Sequence, residues 1–459
     1  MISQNLVNYL YDKNIAILGF GLEGISTYNF IRKHLPDKKI TLIDKKDLFS
    51  ENIKILNNDK NLYVVYGNNY LENLNSYDLI IKTPGISFKG IDTSSFINKI
   101  TSQLQLFLDF FDVKTIGITG SKGKSTTSSL IYRIIKVQNN NTTLLGNIGV
   151  PIFDYIDKIN KDTVVILEIS SHQLEYITRS PNISILLNIF EEHLDHYNSY
   201  AEYAEAKYNI FKFQTKDDYS IYNIDNNIIQ NIFEKEKPVS NKIVVSMKNN
   251  NIDNSISISD NFVIYKENGT NTKLYNIDDE RKLLGNHNLF NIMCALAVSQ
   301  VLNLDLKKTI STINTFESLP HRMEFVGEFD GIKYYNDSIA TIPEATMNCV
   351  ESLKDVNTLI IGGMDRKIDY SNFITFLINS NVENIVCLPD VGTFIGHEIQ
   401  NNTTNKKIHQ VKTMEEAVAI SKIVTKKNTI CVLSPAAASY GFFTNFKERG
   451  DLFKRLVSK

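Results

Sequence analysis

Residues 113–126 read Val113-Lys114-Thr115-Ile116-Gly117-Ile118-Thr119-Gly120-Ser121-Lys122-Gly123-Lys124-Ser125-Thr126, and this stretch decides the fold class. Its first half, Val113–Thr119, is an apolar strand, its middle a glycine-rich turn, and its continuation to about Val137 a Ser/Thr-rich helix. A buried strand that enters a glycine loop and leaves as a helix is the repeating unit of an α/β protein. The loop misses the strict GxxxxGK[ST] spacing, because Ile118 stands where the first glycine belongs. The physical requirement is still met. Backbone N–H groups form an anion nest, Lys124 supplies a point charge, and Ser125 offers a hydroxyl to Mg²⁺. Gly120, Ser121, Lys122, Gly123, Lys124, Ser125 and Thr126 form the expected phosphate site.

Upstream, the apolar run Ile15–Leu18 enters Gly19-Phe20-Gly21-Leu22-Glu23-Gly24, a GxGxxG loop followed by a helix from Ile25 to His34. A second strand, Ile40–Ile43, ends in Asp44, and a third, Asp78–Lys82, runs into the turn Thr83-Pro84-Gly85. Glycines at this spacing let a backbone approach a pyrophosphate at a helix N-terminus, with the acid reaching a ribose. Three readings stay open here: a nicotinamide site, a site for another nucleotide diphosphate, and a purely structural turn.

Downstream, strands are expected at Thr163–Ile169 and Ile183–Ile189. Glu168 ends the first of these, where a carboxylate is costly to bury unless paired or bound to metal; a salt-bridged core glutamate is the structural alternative. His193 follows the second. Both strand ends would face the phosphate loop, since ligands in open α/β sheets collect beyond the carboxyl ends of strands. Ser199 and Glu202 read as a capping box for a helix holding Lys207, and a lone lysine on a helix reads as a solvated face. The Asn-rich segments Gln138–Thr143 and Lys248–Asn254 read as surface turns. After Ser318-Leu319-Pro320 come strands at Ile332–Tyr335, Thr358–Ile361, Ile385–Leu388 and Thr429–Leu433. The helix Met414–Val424 follows a capping box of Thr413 and Glu416.

The 459 residues suit about three domains of roughly 150 residues. Lys plus Arg (49) nearly cancels Asp plus Glu (51), so there is no basic footprint for nucleic acid or an anionic membrane. Four scattered cysteines without a CxxC fit reduced thiols in a cytoplasmic protein. No apolar run reaches the roughly 18 residues a membrane span needs, and the N-terminus lacks the features of a secretory signal.

Taken together these stretches resemble the Mur ligases, ATP-dependent amide-forming enzymes of peptidoglycan precursor synthesis. The resemblance spans essentially the whole chain. It rests on the short TGxxGK[ST] loop, Leu144–Gly149, Leu167–Ser171, Gly285–Asn291, Pro320-His321-Arg322, Asn336-Asp337-Ser338 and Leu433–Ala436. Within the family, the N-terminal GxGxxG unit, Ser171-His172-Gln173-Leu174-Glu175 and the ending Ser439–Gly450 look like the branch that adds D-glutamate.

The resemblance implies three α/β domains: a Rossmann-like domain for a UDP substrate (1–108), a P-loop ATP-binding domain (109–318), and a Rossmann-like glutamate domain (319–459). It implies ATP, glutamate and UDP-N-acetylmuramoyl-L-alanine as substrates, Mg²⁺ as cofactor, and a cytoplasmic monomer. By matched position, Gly19, Gly21, Gly24, Asp44, Thr83, Gly85 and Asn147 would hold the UDP substrate. Ser125, Glu168, His193 and a carbamylated Lys207 would surround Mg²⁺, with Lys124, His193 and Lys207 catalytic. Asn288, Asn291, Arg322 and Asp337 would embrace the nucleotide, and Thr341, Arg366, Ser439 and Phe446 the glutamate. Two departures stand out: Ile339 replaces the lysine of the family's DSKAT stretch, and Arg366 stands where a lysine is common. Rival readings are an L-glutamate-adding variant, a folylpolyglutamate-type ligase, a nicotinamide oxidoreductase, and a non-catalytic nucleotide-binding protein.

Overall fold

The computed structural model describes residues 4–47, 56, 59–248, 251–403 and 405–459. The chain forms two compact units, Met1–Asp279 with Phe290–Ile313, and Glu280–Leu289 with Asn314–Lys459. The first unit carries two sheets and the second carries one, counted among the described residues.

The first sheet is parallel: β1 (Ile15–Leu18), β2 (Ile40–Asp44), β3 (Leu62–Tyr66), β4 (Leu79–Lys82) and β5 (Ile100–Thr101), in the order 3-2-1-4-5. Every residue of β1 and β4 is buried, as strands covered on both faces require. The order reverses between β1 and β4, so the loops after those two strands flank the switch point where doubly wound sheets take ligands.

The second sheet comprises β6 (Lys114–Thr119), β7 (Thr142–Gly146), β8 (Val164–Glu168), β9 (Ile183–Leu186), β10 (Tyr219–Asn223), β11 (Asn241–Val245), β12 (Ser255–Ser259), β13 (Phe262–Glu267) and β14 (Thr270–Asn276). Its order is 14-13-12-11-10-9-6-8-7, parallel except for the β12–β13 and β13–β14 hairpins. The loop leaving β6 is thus flanked by the ends of β8 and β9.

One apolar core cluster is shared by both sheets, and a second one lines the other face of the first sheet through Ala16, Leu18, Ile43 and Ile80. Ile15, Ile17 and Leu42 belong to the same cluster as Leu145, Val165 and Leu167. The expected boundary near residue 108 falls in the helix Gln103–Phe110, whose Leu104, Leu106, Phe107 and Leu108 are part of that core. This continuity explains why the first two sheets make a single compact unit.

The second unit holds β15 (Glu324–Phe329), β16 (Ile332–Asn336), β17 (Val356–Gly363), β18 (Asn384–Asp390), β19 (Lys407–Gln410) and β20 (Ile430–Leu433), in the order 15-16-20-17-18-19. Only β15 runs antiparallel.

Several local expectations need correction. The strand expected over Ile183–Ile189 ends at Leu186, because Asn188 turns its carbonyl and side chain onto the phosphate loop. The segment Gln138–Thr143 is not all turn: Thr142 and Thr143 are buried in the edge strand β7. Of the turn Lys248–Asn254, Asn249 and Asn250 lie outside the described residues. Both expected capping boxes are half formed. Thr413 and Ser199 accept from the N–H groups of Glu416 and Glu202, but those glutamates accept from Lys412 and Asn198, one residue before the cap. The reciprocal box is at Ser170 and Gln173. All four cysteines are free and buried.

Candidate functional site

The phosphate loop is built as its residues dictate. The helix Lys124–Lys136 is capped by Gly123 at φ +86, and its first intrahelical bond runs from the Thr127 N–H to the Gly123 carbonyl. The positive pole of the helix therefore opens into the loop. A Cβ on Gly123 would meet Asn291 Oδ1 at 2.8 Å, so the expected nucleotide residue Asn291 abuts the loop. Asn188 staples the loop from the end of β9: its carbonyl accepts from the Ser121 N–H at 2.9 Å and its Oδ1 from the Lys122 N–H at 2.8 Å. Ser121 Oγ meets the Tyr203 hydroxyl at 2.7 Å, and Lys122 pairs with Glu192.

Two lysines converge on one carbonyl. Lys124 Nζ donates to the Gly120 carbonyl at 2.7 Å and to that of Ser121 at 3.0 Å; Lys207 Nζ donates to the Gly120 carbonyl at 3.0 Å. Lys207 is only 2% exposed, which corrects the reading of a solvated helix face. Burial pushes its amine well below the usual lysine range, and the neighbouring Lys124 charge pushes it the same way against Glu192. His193 stands at φ +61 in the loop after β9. Desolvation lowers its pKa, and Lys207 and Lys124 add to that while Glu192 and Asp195 oppose it.

Glu168 closes β8 with 1% exposure. Its Oε1 accepts from Asn147 Nδ2 at 2.8 Å and its Oε2 from Ser128 Oγ at 3.5 Å. Among the described residues it has no ion pair, so the salt-bridged core alternative does not hold. A buried carboxylate lacking a cationic partner fits a Mg²⁺ ion beside the loop. No three His, Cys, Asp and Glu side chains gather as a metal site among the described residues. Ser125, Glu168, His193 and Lys207 are therefore not an all-protein cage.

On the first sheet, Gly19 (φ +91) and Gly24 are glycine for steric reasons. A Cβ on Gly19 would lie 2.1 Å from Thr83 Oγ1, and one on Gly24 2.2 Å from the Gly19 carbonyl. Gly21 has no described atom within 4 Å of its Cβ position. Asp44 uses both carboxylate oxygens locally, Oδ2 accepting from the Phe20 N–H at 2.8 Å and Oδ1 from the Lys46 N–H at 3.0 Å. Thr83 Oγ1 donates to the Leu18 carbonyl, which brings the Thr83-Pro84-Gly85 turn beside the glycine loop.

The second unit holds the remaining expected residues. Asn288 donates to the Leu284 carbonyl at 2.7 Å. Asp337 is buried, which pushes its carboxyl up to about 6 against hydrogen bonds from Ser434 and the Met323 N–H; the Arg322 charge also opposes the rise. Arg366 is exposed just beyond β17, and Thr341 is half-buried. The Met364 N–H donates to the Ala438 carbonyl at 2.9 Å, bringing that strand end beside the buried Ser439. Phe446 opens the last helix, where the Asn445 side chain caps the N–H groups of Lys447 and Glu448 rather than that of Phe446. Buried Arg449 spends its guanidinium on the Gly362, Ala437 and Ser338 carbonyls and on Ser338 Oγ.

The sequence reading missed Asn188 and Tyr203, which only the fold brings to the phosphate loop. It also gave no role to Lys82, Glu175 and His196, which pair with one another in the first unit. Lys82 carried a signal, being a charge at the end of an otherwise apolar strand, and Glu175 stood in the Ser171–Glu175 stretch.

By fold and loop this is a phosphate-binding α/β enzyme of the P-loop kind. The profile of the Mur ligase middle domain matches residues 118–299, and that of the Mur ligase glutamate ligase domain matches residues 321–437. The UDP-N-acetylmuramoylalanine–D-glutamate ligase of Acetivibrio thermocellus is 31% identical, over 97% of this chain and 96% of its own length. Its Clostridium botulinum counterpart is 32% identical, over 98% of each. Among solved structures, MurF from Acinetobacter baumannii superimposes with TM-score 0.60 at 13% identity, covering 97% of this chain and 90% of its own. The UDP-N-acetylmuramate–alanine ligase of Thermotoga maritima gives 0.58 at 18% identity, covering 97% and 100%. The chain belongs to the Mur ligase family, the ATP-dependent amide-forming ligases of peptidoglycan precursor synthesis.

Proposed function

We propose that this chain joins D-glutamate to the alanyl carboxylate of UDP-N-acetylmuramoyl-L-alanine, with cleavage of ATP to ADP and phosphate. The observation that carries the reading is the convergence of Lys124 and the buried Lys207 on the Gly120 carbonyl, in a loop bounded by Glu168 and Asn188. The names of its relatives support the choice of substrates. Residues 1–108 take the UDP substrate, 109–318 the ATP, and 319–459 the glutamate.

A carboxylate is a poor electrophile, so it is first phosphorylated. One carboxylate oxygen attacks the γ-phosphorus and the bond to the ADP oxygen breaks, leaving an acyl phosphate. The glutamate amine then attacks the acyl carbon, loses a proton, and phosphate leaves from the tetrahedral intermediate. Gly120 to Thr126 cradle the transferring phosphates, and Lys124 offsets the charge that develops on them. Ser125, Glu168, His193 and carbamylated Lys207 would hold Mg²⁺, which supplies electrostatic stabilisation of that charge. Lys207 is suited to carbamylation, because burial shifts its pKa downward and so favours the neutral amine, the form that adds to carbon dioxide with loss of a proton. Gly19, Gly21, Gly24, Asp44, Thr83, Gly85 and Asn147 bind the UDP substrate. Asn288, Asn291, Arg322 and Asp337 bind the nucleotide, and Thr341, Arg366, Ser439 and Phe446 bind glutamate.

No helix among the described residues is long and apolar enough to cross a membrane. With substrates that are nucleotide-linked and water-soluble, the chain acts as a cytoplasmic monomer without nucleic-acid or membrane partners. The test is phosphate release from UDP-N-acetylmuramoyl-L-alanine, Mg-ATP and each glutamate enantiomer. Release that requires all three substrates is expected. Release supported by a folate acceptor in place of the UDP substrate would select the folylpolyglutamate-type alternative.

A further inference from the structure

The stretch Ser170–Glu175 touches both halves of the first unit. Gln173 Nε2 donates to Glu23 Oε1, in the glycine loop, at 2.6 Å. Glu175 goes further. Its Oε2 accepts from Lys82 Nζ at 3.0 Å and its Oε1 from the His196 ring Nε2–H at 2.6 Å. Side-chain exposure is 3% for Lys82 and 11% for each of the other two.

The ends of this clasp are attached to two different working parts. Lys82 closes β4 immediately before Thr83-Pro84-Gly85, the turn assigned to the UDP substrate. His196 lies three residues after His193. Two more bonds join the same segments: Ser87 Oγ donates to the His196 carbonyl at 2.8 Å, and Lys89 Nζ to the Leu194 carbonyl at 2.6 Å. The His196 ring packs on His172 with centroids 4.0 Å apart, and His172 meets the His193 ring at 4.8 Å. His193 itself is held at φ +61, a conformation a non-glycine residue keeps only where its surroundings over-determine it.

A buried ion pair serving stability alone is commonly replaceable by neutral side chains of similar size. This one also ties the substrate turn to the strained loop. We infer that Lys82 and Glu175 are positioning residues for ligation: through His196 they fix the His193 loop against the turn that receives the UDP substrate. The inference rests on the function proposed above.

The test compares wild type, Glu175→Gln, Lys82→Met and the double variant as full-length chains. Two readouts are taken: steady-state phosphate release with each substrate varied in turn, and amide hydrogen exchange across residues 190–198. Each variant is expected to lose at least tenfold in kcat and to raise the KM for the UDP substrate, with the KM for ATP within twofold. The double variant should be no worse than the poorer single one, and should not recover. Exchange in 190–198 should quicken at least tenfold while that of 120–126 is unchanged. A double variant restored to wild-type kcat would show the charges to be merely structural and would overturn the inference. So would an equal rise in the KM for ATP. Should a single variant fail to fold, the double variant, which removes both members of the Lys82–Glu175 pair, decides by the same criteria. Wild type inactive with these substrates would defeat the proposed function instead. The exchange readout would still judge the clasp, unchanged protection of 190–198 overturning it.

Discussion

At the scale of single residues the two lysines carry different lessons. Lys124 was legible because its neighbours define it: a glycine before, a hydroxyl after, and a strand-to-helix junction around it. Its ammonium sits 2.7 Å from the Gly120 carbonyl, at the positive end of its own helix. Lys124→Ala is expected to lower kcat by at least a hundredfold while UDP-substrate affinity, measured by calorimetry, stays within twofold. Near-wild-type phosphate release would refute the assignment. Lys207 was legible only through family resemblance, since nothing in Glu205-Ala206-Lys207-Tyr208 distinguishes it from a solvated lysine. Its burial follows from packing against β6 and β9, which one-dimensional periodicity does not report. A buried cation beside Lys124 is disfavoured, whereas a carbamate reverses the sign of the charge. Lys207→Ala should therefore be inactive, yet recover part of its turnover with millimolar to molar formate or acetate, anions that fit the vacated space. Full activity without an added anion would remove the carbamate from the mechanism.

At the scale of elements, most strands buried on both faces announced themselves, although the buried β10 did not and the half-exposed β16 did. β1, β4, β6, β8 and β20 are short apolar runs with no exposed interior face, so composition alone marks them. The β12–β14 hairpins carry polar residues on exposed positions and β7 opens with two threonines, so they merge with loops in the sequence, whereas β3 went unread although it is apolar throughout, with Tyr63, Val65 and Tyr66 exposed. The helix after the glycine loop was expected, although it begins at Leu22 rather than Ile25, and its electrostatics were hidden. Glu23 opens that helix against Gln173, and burial pushes its carboxyl up to about 7, opposed by the Gln173 hydrogen bond and the Lys82 charge. The sign follows from proton counts. Unfolded, Glu23 loses its proton near the ordinary 4.5; folded, near 7. Between those values the folded chain binds more protons, so this group's contribution to stability falls as pH rises through the window. Glu23→Gln keeps an oxygen for Gln173 and removes the titration. It should leave stability nearly unchanged at pH 4.5 and raise it by about 1–3 kcal/mol at pH 8, read from urea midpoints. An equal effect at both pH values would show that the buried carboxylate is not the cause.

At the scale of the whole molecule, the order of the three sheets follows the motif order in the chain, and family membership fixes the reaction class. The choice of amino acid is where the two departures matter. Ile339 removes a cation next to Asp337, and its N–H is tied to the His321 carbonyl at 3.2 Å, so the position is structurally occupied. Arg366 adds a guanidinium just past β17, at the same C-terminal end of the sheet as Ser439, which follows β20, through the Met364–Ala438 pairing. Ser439 and the Phe446 N–H are suited to one glutamate carboxylate, and the Arg366 fork to the other. Once both carboxylates are pinned, enantiomers exchange the positions of the α-amine and the α-hydrogen. The wrong enantiomer then fits its carboxylates yet presents hydrogen to the acyl phosphate. Discrimination should fall on kcat more than on binding, because the amine interacts productively only in the transition state. D-glutamate is expected to turn over at least tenfold faster than L-glutamate, with L-glutamate acting as a competitive inhibitor of comparable affinity. Arg366→Ala should raise the glutamate KM about tenfold or more and leave the KM for ATP unchanged. Initial rates with each pure enantiomer decide the matter: faster turnover of L-glutamate would reverse the stereochemical assignment, while an Arg366→Ala variant with unaltered glutamate KM would take Arg366 out of the amino-acid site.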